Sequence, residues 1–380
     1  MKAVQLRAVR STYPILLTVA ALDAAGYSMI APVVPAISDE TGAGPGVIGA
    51  LVAMFAVGQL IGFPLAGRGV QRANSSLVLG VSLAFMALGD IGFVLGDSLG
   101  VYFSARVVQG IGAGGLWMGV TFAVLDRFPG QELRRLSGVL AAYSVGGIAG
   151  PAMGAVGGIH GPFLIHFGAV VLGAVAIAAV GAPRERAEFG SDRAALRTAG
   201  FWLASAGILM IALGYGALDG PLPLHFDQRL DQSEIAGLYV VGALVLGASA
   251  VAAGRGPPRP MLLAAAVVIT GGIALAGLTE TVPWWVAAIA LTSLGLGMGE
   301  TGALGILLET VGSEQLVLAM IVWSQVWALG YLAGPAVAGG VAESLGFDAI
   351  GLVPLAAAFI VVAALAASPR SKPAAPGSAV

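Results

Sequence analysis

Apolar runs of bilayer length recur along this chain, divided by short polar stretches. A helix needs about 20 apolar residues to cross a hydrocarbon core. The pattern predicts twelve such spans: 13–37, 46–67, 75–96, 99–125, 135–157, 162–182, 199–219, 233–253, 260–279, 283–308, 316–341 and 348–367. The fold class is therefore all-α and integral to a membrane. The apolar stretch after Lys2, Arg7 and Arg10 is too long for the core of a cleavable leader and reads as the first span.

The charges sort by side. With the N-terminus in the cytoplasm, the inner segments hold Lys2, Arg7, Arg10, Arg68, Arg72, Arg127, Arg134, Arg135, Arg184, Arg186, Arg193, Arg197, Arg255, Arg259, Arg370 and Lys372. Only Arg106, inside a span, and Arg229, in an outer loop, depart from this. Asp39, Glu40, Asp97, Glu280 and Asp348 fall outside. This is the positive-inside distribution. It places both termini in the cytoplasm of an inner, multi-pass cell membrane protein.

Composition narrows the class further. At 58% hydrophobic and 10% charged, the chain has too little charge to cover a soluble surface of this size. Its 58 glycines suit closely packed membrane helices. Cysteine is absent, which excludes disulfides and thiolate metal sites. No basic patch points to nucleic acid, no phosphate-binding G-x-x-x-x-G-K-[ST] segment points to an ATPase, and no cofactor or metal site is implied.

The polar segment 183–198 divides the chain into residues 1–182 and 199–367, six spans each, and the Pro/Ala/Ser-rich tail 368–380 reads as disordered. The halves echo each other. Gly110, Gly112 and Gly114 recur as Gly295, Gly297 and Gly299; Gly146, Gly150 and Pro151 recur as Gly330, Gly334 and Pro335. Gly67-Arg68-Gly69 recurs as Gly254-Arg255-Gly256. Six spans per copy give parallel repeats about an axis along the membrane normal, and so two pseudo-symmetric six-helix bundles.

Two motifs carry a resemblance. One is Arg106-x-x-Gln109-Gly110-x-Gly112 in the fourth span. The other is Gly146-x-x-x-Gly150-Pro151-x-x-Gly154-x-x-x-Gly158 in the fifth. With Gly26 and Pro32-Val-Val-Pro35 in the first span, the chain resembles the major facilitator superfamily over its full length, and within it the twelve-span drug:proton antiporters. The resemblance implies a central cavity bordered by spans 1, 4, 7 and 10. The loop after the second span fits the family only in part. Gln71 stands where an Asp is expected, Asn74 replaces a Gly, and Ser75-Ser76 replace a basic pair, leaving Arg68 and Arg72 as gate candidates.

A charge at mid-membrane depth costs about 2.5 kcal/mol or more and marks a site. Asp23, Arg106 and Glu300 fall on spans 1, 4 and 10 and are the candidate proton-coupling residues, with Arg106 the electrostatic partner of Asp23. At 100° per residue, Arg106, Ala113 and Trp117 share a face flanked by Gln109. Tyr27, Gln109, Ala113, Trp117, Trp323, Gln325 and Trp327 are the candidate cavity wall. Gly146, Gly150, Pro151, Gly154, Gly158, Gly334 and Pro335 are expected to let helices 5 and 11 pack across the boundary between the halves. Asp90 and Asp219 are assigned to the outer ends of their spans, and His160 and His166 to surface or packing roles.

The expected function is export of a small lipophilic or amphipathic compound in exchange for protons, by a monomer in the lipid bilayer. A sugar or metabolite carrier and a non-transporting receptor or scaffold are the rival readings.

Overall fold

The computed structural model describes residues 2–72, 74–128, 131–180, 193–312 and 315–367. Residues 183–192 of the expected linker and the expected disordered tail 368–380 lie outside the described residues. Among the described residues the chain is helical, with no strand. The helices are α1 (Lys2–Ser28), α2 (Ile30–Thr41), α3 (Pro45–Arg72), α4 (Ser75–Leu95), α5 (Leu99–Arg127), α6 (Glu132–Gly154) and α7 (His160–Val180). Then follow α8 (Ala199–Asp219), α9 (Leu222–Phe226), α10 (Gln232–Ala253), α11 (Pro258–Leu278), α12 (Val282–Thr310), α13 (Leu316–Leu345) and α14 (Leu352–Ala367).

Eleven helical stretches among the described residues are long and apolar enough to cross a bilayer. The remaining long helix is α6, whose 23 residues start with Glu132, Arg134 and Arg135. Together they make the twelve expected passes.

The first and seventh passes differ from the expected continuous helices, because each is broken in two. Pro32 has no N–H to give the Ser28 carbonyl, and the chain turns at Met29 between α1 and α2. Gly220 ends α8, and Pro221-Leu222-Pro223 starts α9. Both breaks lie toward the end of the bundle that carries Glu40, Asp97 and Glu280, here the acidic end. Arg72, Arg127 and Arg255 mark the opposite, basic end. Local chemistry fixes the other boundaries. Asn74, expected only as a replaced glycine, caps α4 by accepting the Leu77 N–H at 2.8 Å. Asp231 and Glu234 form a reciprocal capping box on α10.

Helices α1 to α7 pack chiefly on one another, as do α8 to α14. Close backbone approach is repeated in the two sets. A Cβ at Gly146 or Gly150 would collide with the Ala21 or Ala25 carbonyl oxygen of α1. A Cβ at Gly330 or Gly334 would come within 2.7 Å of the Leu209 or Leu213 carbonyl oxygen of α8. The paired glycines sit four residues apart, and so do their carbonyl partners, one helical turn on each side.

The fifth and eleventh passes, α6 and α13, do pack across the boundary between the halves, but these glycines serve contacts within each half. Gly146, Gly150 and Gly154 press α6 onto α1 and α2 of the same half, and Gly330 and Gly334 press α13 onto α8. Pro335 does reach the boundary, with its carbonyl against Gly49 of α3. A Gly150→Leu protein is expected to lose more than about 3 kcal/mol of stability, because neither backbone can give way. A melting temperature equal to that of the parent protein would contradict this packing.

The halves meet along α3 with α13 and along α6 with α10. At the acidic end the joint is polar. Glu343 of α13 accepts the Gly46 N–H of α3 at 2.9 Å. Gln232 of α10 donates to the Gly154 and Gly158 carbonyls at 2.8 and 3.0 Å and accepts from the Gly158 N–H at 2.8 Å. Gly158 is not in the fifth helix. It follows α6 with φ +66°, a left-handed conformation suited to glycine. Asp227, just beyond α9, is pushed above the ordinary carboxylate value by partial burial first and by Asp39 of α2 second. Protonation at Asp227 therefore favours this arrangement, and the preference fades as pH rises through its value.

Candidate functional site

Arg106 enters from the acidic-end third of α5 and is 0% exposed. Its guanidinium lies 4.5 Å from the Phe55 ring centre on α3 and donates to Gln109 Oε1 at 3.1 Å. Nε and Nη2 have no acceptor among the described residues. Phe55 in turn lies 6.5 Å from Tyr331 of α13, centre to centre. Asp219 ends α8 and receives the Tyr331 hydroxyl of α13 at 3.3 Å. It is only 5% exposed, so it lies inside the bundle rather than at its mouth. The break after α8 explains this, since α9 continues the pass over it. Arg106 of one half thus faces an acid of the other.

The expected pairing of Arg106 with Asp23 is absent. Asp23 sits one turn before Tyr27 on α1 and receives the Tyr143 hydroxyl of α6 on Oδ2. Its Oδ1 has no hydrogen-bond partner among the described residues. Glu300 of α12 is half-buried. Tyr143 is thus the direct partner of one of the two predicted carboxylates, Asp23. Sequence reasoning missed it, because one tyrosine in an apolar helix carries no signal of its own.

Aromatic rings fill the space where the halves meet. Tyr27 lies 4.9 Å from Tyr331, 5.8 Å from Phe55 and 6.2 Å from Tyr215, centre to centre. Tyr215 is 5.4 Å from Trp327, and Trp117 is 5.4 Å from Tyr143. Trp117 also donates to Ser324 Oγ of the other half at 3.0 Å. Of the expected wall residues, Tyr27, Trp117 and Trp327 come together here, and Gln325 reaches the Leu60 carbonyl at 3.4 Å. Gln109 is buried in the polar chain behind Arg106, and Ala113 is packed in the core. Trp323 turns away to donate to the Ala204 carbonyl at 3.2 Å, within the core of its own half.

Arg68 and Arg72 are exposed at the basic end and make no ion pair among the described residues. The contact there is instead Arg127 donating to Ser76 at 3.0 Å, inside one half. Asp90 and His166 depart furthest from expectation. Both are 0% exposed, and His166 Nδ1 lies 2.8 Å from Asp90 Oδ2. Their nearness to span ends hid them, although a lone ionisable residue within a span was itself the signal. His160 contacts the Phe93 carbonyl at 3.0 Å. No cluster among the described residues is arranged to hold a metal ion.

The arrangement is suited to moving protons and attracting a cation. Four buried or half-buried acids (Asp23, Asp90, Asp219, Glu300) stand against Arg106 and His166. The aromatic faces add an attraction for positive, lipophilic groups.

A sequence model of the Major Facilitator Superfamily matches residues 16–299. Over 250 residues the chain is 27% identical to Multidrug resistance protein 1 of Bacillus subtilis (strain 168), covering 62% of this chain and 64% of that one. It is 32% identical to Multidrug resistance protein 2 of the same strain, over 154 residues, covering 40% and 38%. To Quinolone resistance protein NorA of Staphylococcus aureus it is 28% identical over 130 residues, covering 34% of each. The matched stretch thus spans from about a third to just under two thirds of these relatives' length. In fold, the chain is similar to a bacterial homolog of the human lysosomal transporter Spinster in an inward-facing, occupied conformation. The TM-score is 0.73 at 16% identity, over 93% of this chain and 95% of that one. It is also similar to a POT family transporter in complex with a thioalcohol-conjugated peptide, with TM-score 0.77 at 13% identity over 94% and 98%.

Proposed function

Because the chain belongs to the Major Facilitator Superfamily and crosses the membrane many times, we propose that it is a secondary transporter rather than an enzyme, expelling lipophilic cations in exchange for protons. The observation that carries this reading is Asp23, buried on α1 and held by the Tyr143 hydroxyl of α6, beside a ring-lined junction of the two halves. A carboxylate in a dry, apolar setting is stable when protonated or when it meets a cation. Substrate cation and proton therefore compete for the same acids. Names of multidrug and quinolone resistance among the relatives agree with a broad, apolar substrate class.

In this reading residues 1–182 and 199–367 rock as two bodies about the site, joined through 183–198. The acidic end faces outward, the basic end and both termini face the cytoplasm, and the working unit is a monomer. Arg106 holds the halves together through Asp219 when the acidic end is closed. Ethidium and a fluoroquinolone, tested in proteoliposomes with an imposed pH gradient, are expected to accumulate against their own gradients. They are expected to acidify the opposite compartment when they move first. Uptake that ignores the pH gradient would remove proton exchange from the reading.

A further inference from the structure

The Asp90–His166 pair has no place in that reading, yet its geometry is demanding. His166 Nε2 lies 3.0 Å from the Leu22 carbonyl oxygen of α1, and Nδ1 lies 2.8 Å from Asp90 Oδ2 of α4. A carbonyl only accepts, so Nε2 carries a hydrogen. The contact at Nδ1 then requires a second proton, either on the imidazole or on the carboxyl. Without it, a nitrogen lone pair would face a carboxylate oxygen in a fully buried place. The ring packs against α1, with its Cε1 in the space that a Cβ at Gly26 would take.

The other carboxylate oxygen is tied as firmly. Asp90 Oδ1 accepts from Gln109 Nε2 at 2.7 Å, and Gln109 Oε1 accepts from Arg106 Nη1 at 3.1 Å. This fixes the amide's direction, donor to the acid and acceptor to the cation. Further ionisable groups face the pair from few sides. Asp23 approaches from α1 with Tyr143 of α6 behind it, and Arg106 approaches from α5. The only titratable side chains on α3 are Arg68 and Arg72, both exposed at the basic end.

We infer that Asp90 and His166 form a proton-binding site separate from Asp23 and Glu300, and that the state of this site is relayed through Gln109 to Arg106, where the halves meet. With the proton bound, the pair is neutral overall and Arg106 is left to Asp219 of the other half. When the proton leaves, Asp90 is an anion whose cation is Arg106, and the attraction to Asp219 is divided. Only this last step rests on the transport reading.

The chain has three histidines, so ¹⁵N-histidine labelling of the full-length protein in lipid nanodiscs resolves each, with His160→Gln and His225→Gln as assignments. The His166 Nδ1 resonance is expected to move in one step between about pH 5 and pH 10, and that step is expected to vanish in Asp90→Asn. A flat resonance, or a step unchanged in Asp90→Asn, overturns the site. For the relay, cysteines placed at the exposed Val47 and Leu345 of this cysteine-free chain carry spin labels. Their separation is expected to change over the same step and to become independent of pH in Gln109→Leu. If Gln109→Leu does not fold, His166→Gln is expected to show the same loss. A pH-dependent separation that survives both variants overturns the relay. A protein that shows the step and the movement but carries no ethidium supports this inference and removes the transport reading alone.

Discussion

With Asp23→Asn and Glu300→Gln combined, proton-driven accumulation of ethidium is expected to fall at least about tenfold, or about 1.4 kcal/mol of coupling. Exchange of labelled for unlabelled ethidium, with no pH gradient, is expected to stay within about twofold. The two readouts separate because amides keep most of the shape. Tyr143 can still donate to the side-chain oxygen at position 23, so the junction between α1 and α6 persists. What is lost is the ability to take up and release a proton at positions 23 and 300. A double variant that accumulates ethidium as the parent does would show that neither acid couples transport. Loss of both readouts together would mean that the acids hold substrate rather than protons.

Arg106→Leu is expected to slow transport by on the order of 100-fold, about 2.7 kcal/mol. The change strands several groups at once. Gln109 Oε1 loses its donor, Phe55 loses the cation on its face, and Asp219 loses the positive charge from the opposite half. Breaking a buried charge arrangement on one side typically costs about 3–5 kcal/mol, so the melting temperature is expected to fall as well. Arg106→Lys is the discriminating variant. An ammonium is a point charge without the planar fork, and it cannot cover the Phe55 face and reach Gln109 together. It is expected to recover stability but less than about a tenth of the rate. Parent-like rates in Arg106→Lys would reduce the residue's role to charge alone.

Much of the fold was legible because lipid-length hydropathy and the sorting of arginines depend on composition, which a sequence displays directly. The glycine ladders were legible as spacing too. Which neighbour each ladder faces was not, since helix rotation is set by packing, and Gly146 and Gly150 turned toward α1 rather than toward the other half. The break at Met29 had its cause in view at Pro32, but an average over a span is blind to one missing hydrogen bond. Asp23, Arg106 and Glu300 stood out as charges among apolar residues. Their partners did not: Tyr143, Tyr215 and Tyr331 are ordinary core residues until the third dimension places them. Asp90 and His166 carried the same signal as Asp23, and position near a span end outweighed it. Trp323 shows the reverse error, a suggestive residue type whose indole is spent on the Ala204 carbonyl.

The paired breaks, at Met29 and at Gly220, give this architecture two latches that are not the halves themselves. The short outer pieces α2 and α9 touch each other, and each joins its long helix through a single turn with few backbone bonds to hold its angle. In the proposed transport cycle, a small swivel of these two pieces would close the mouth over Tyr27, Tyr331 and Asp219 while the ten other passes stay put. Occlusion and tilting would then be separable events, with a molecule caught inside committed before the heavier bodies begin to turn.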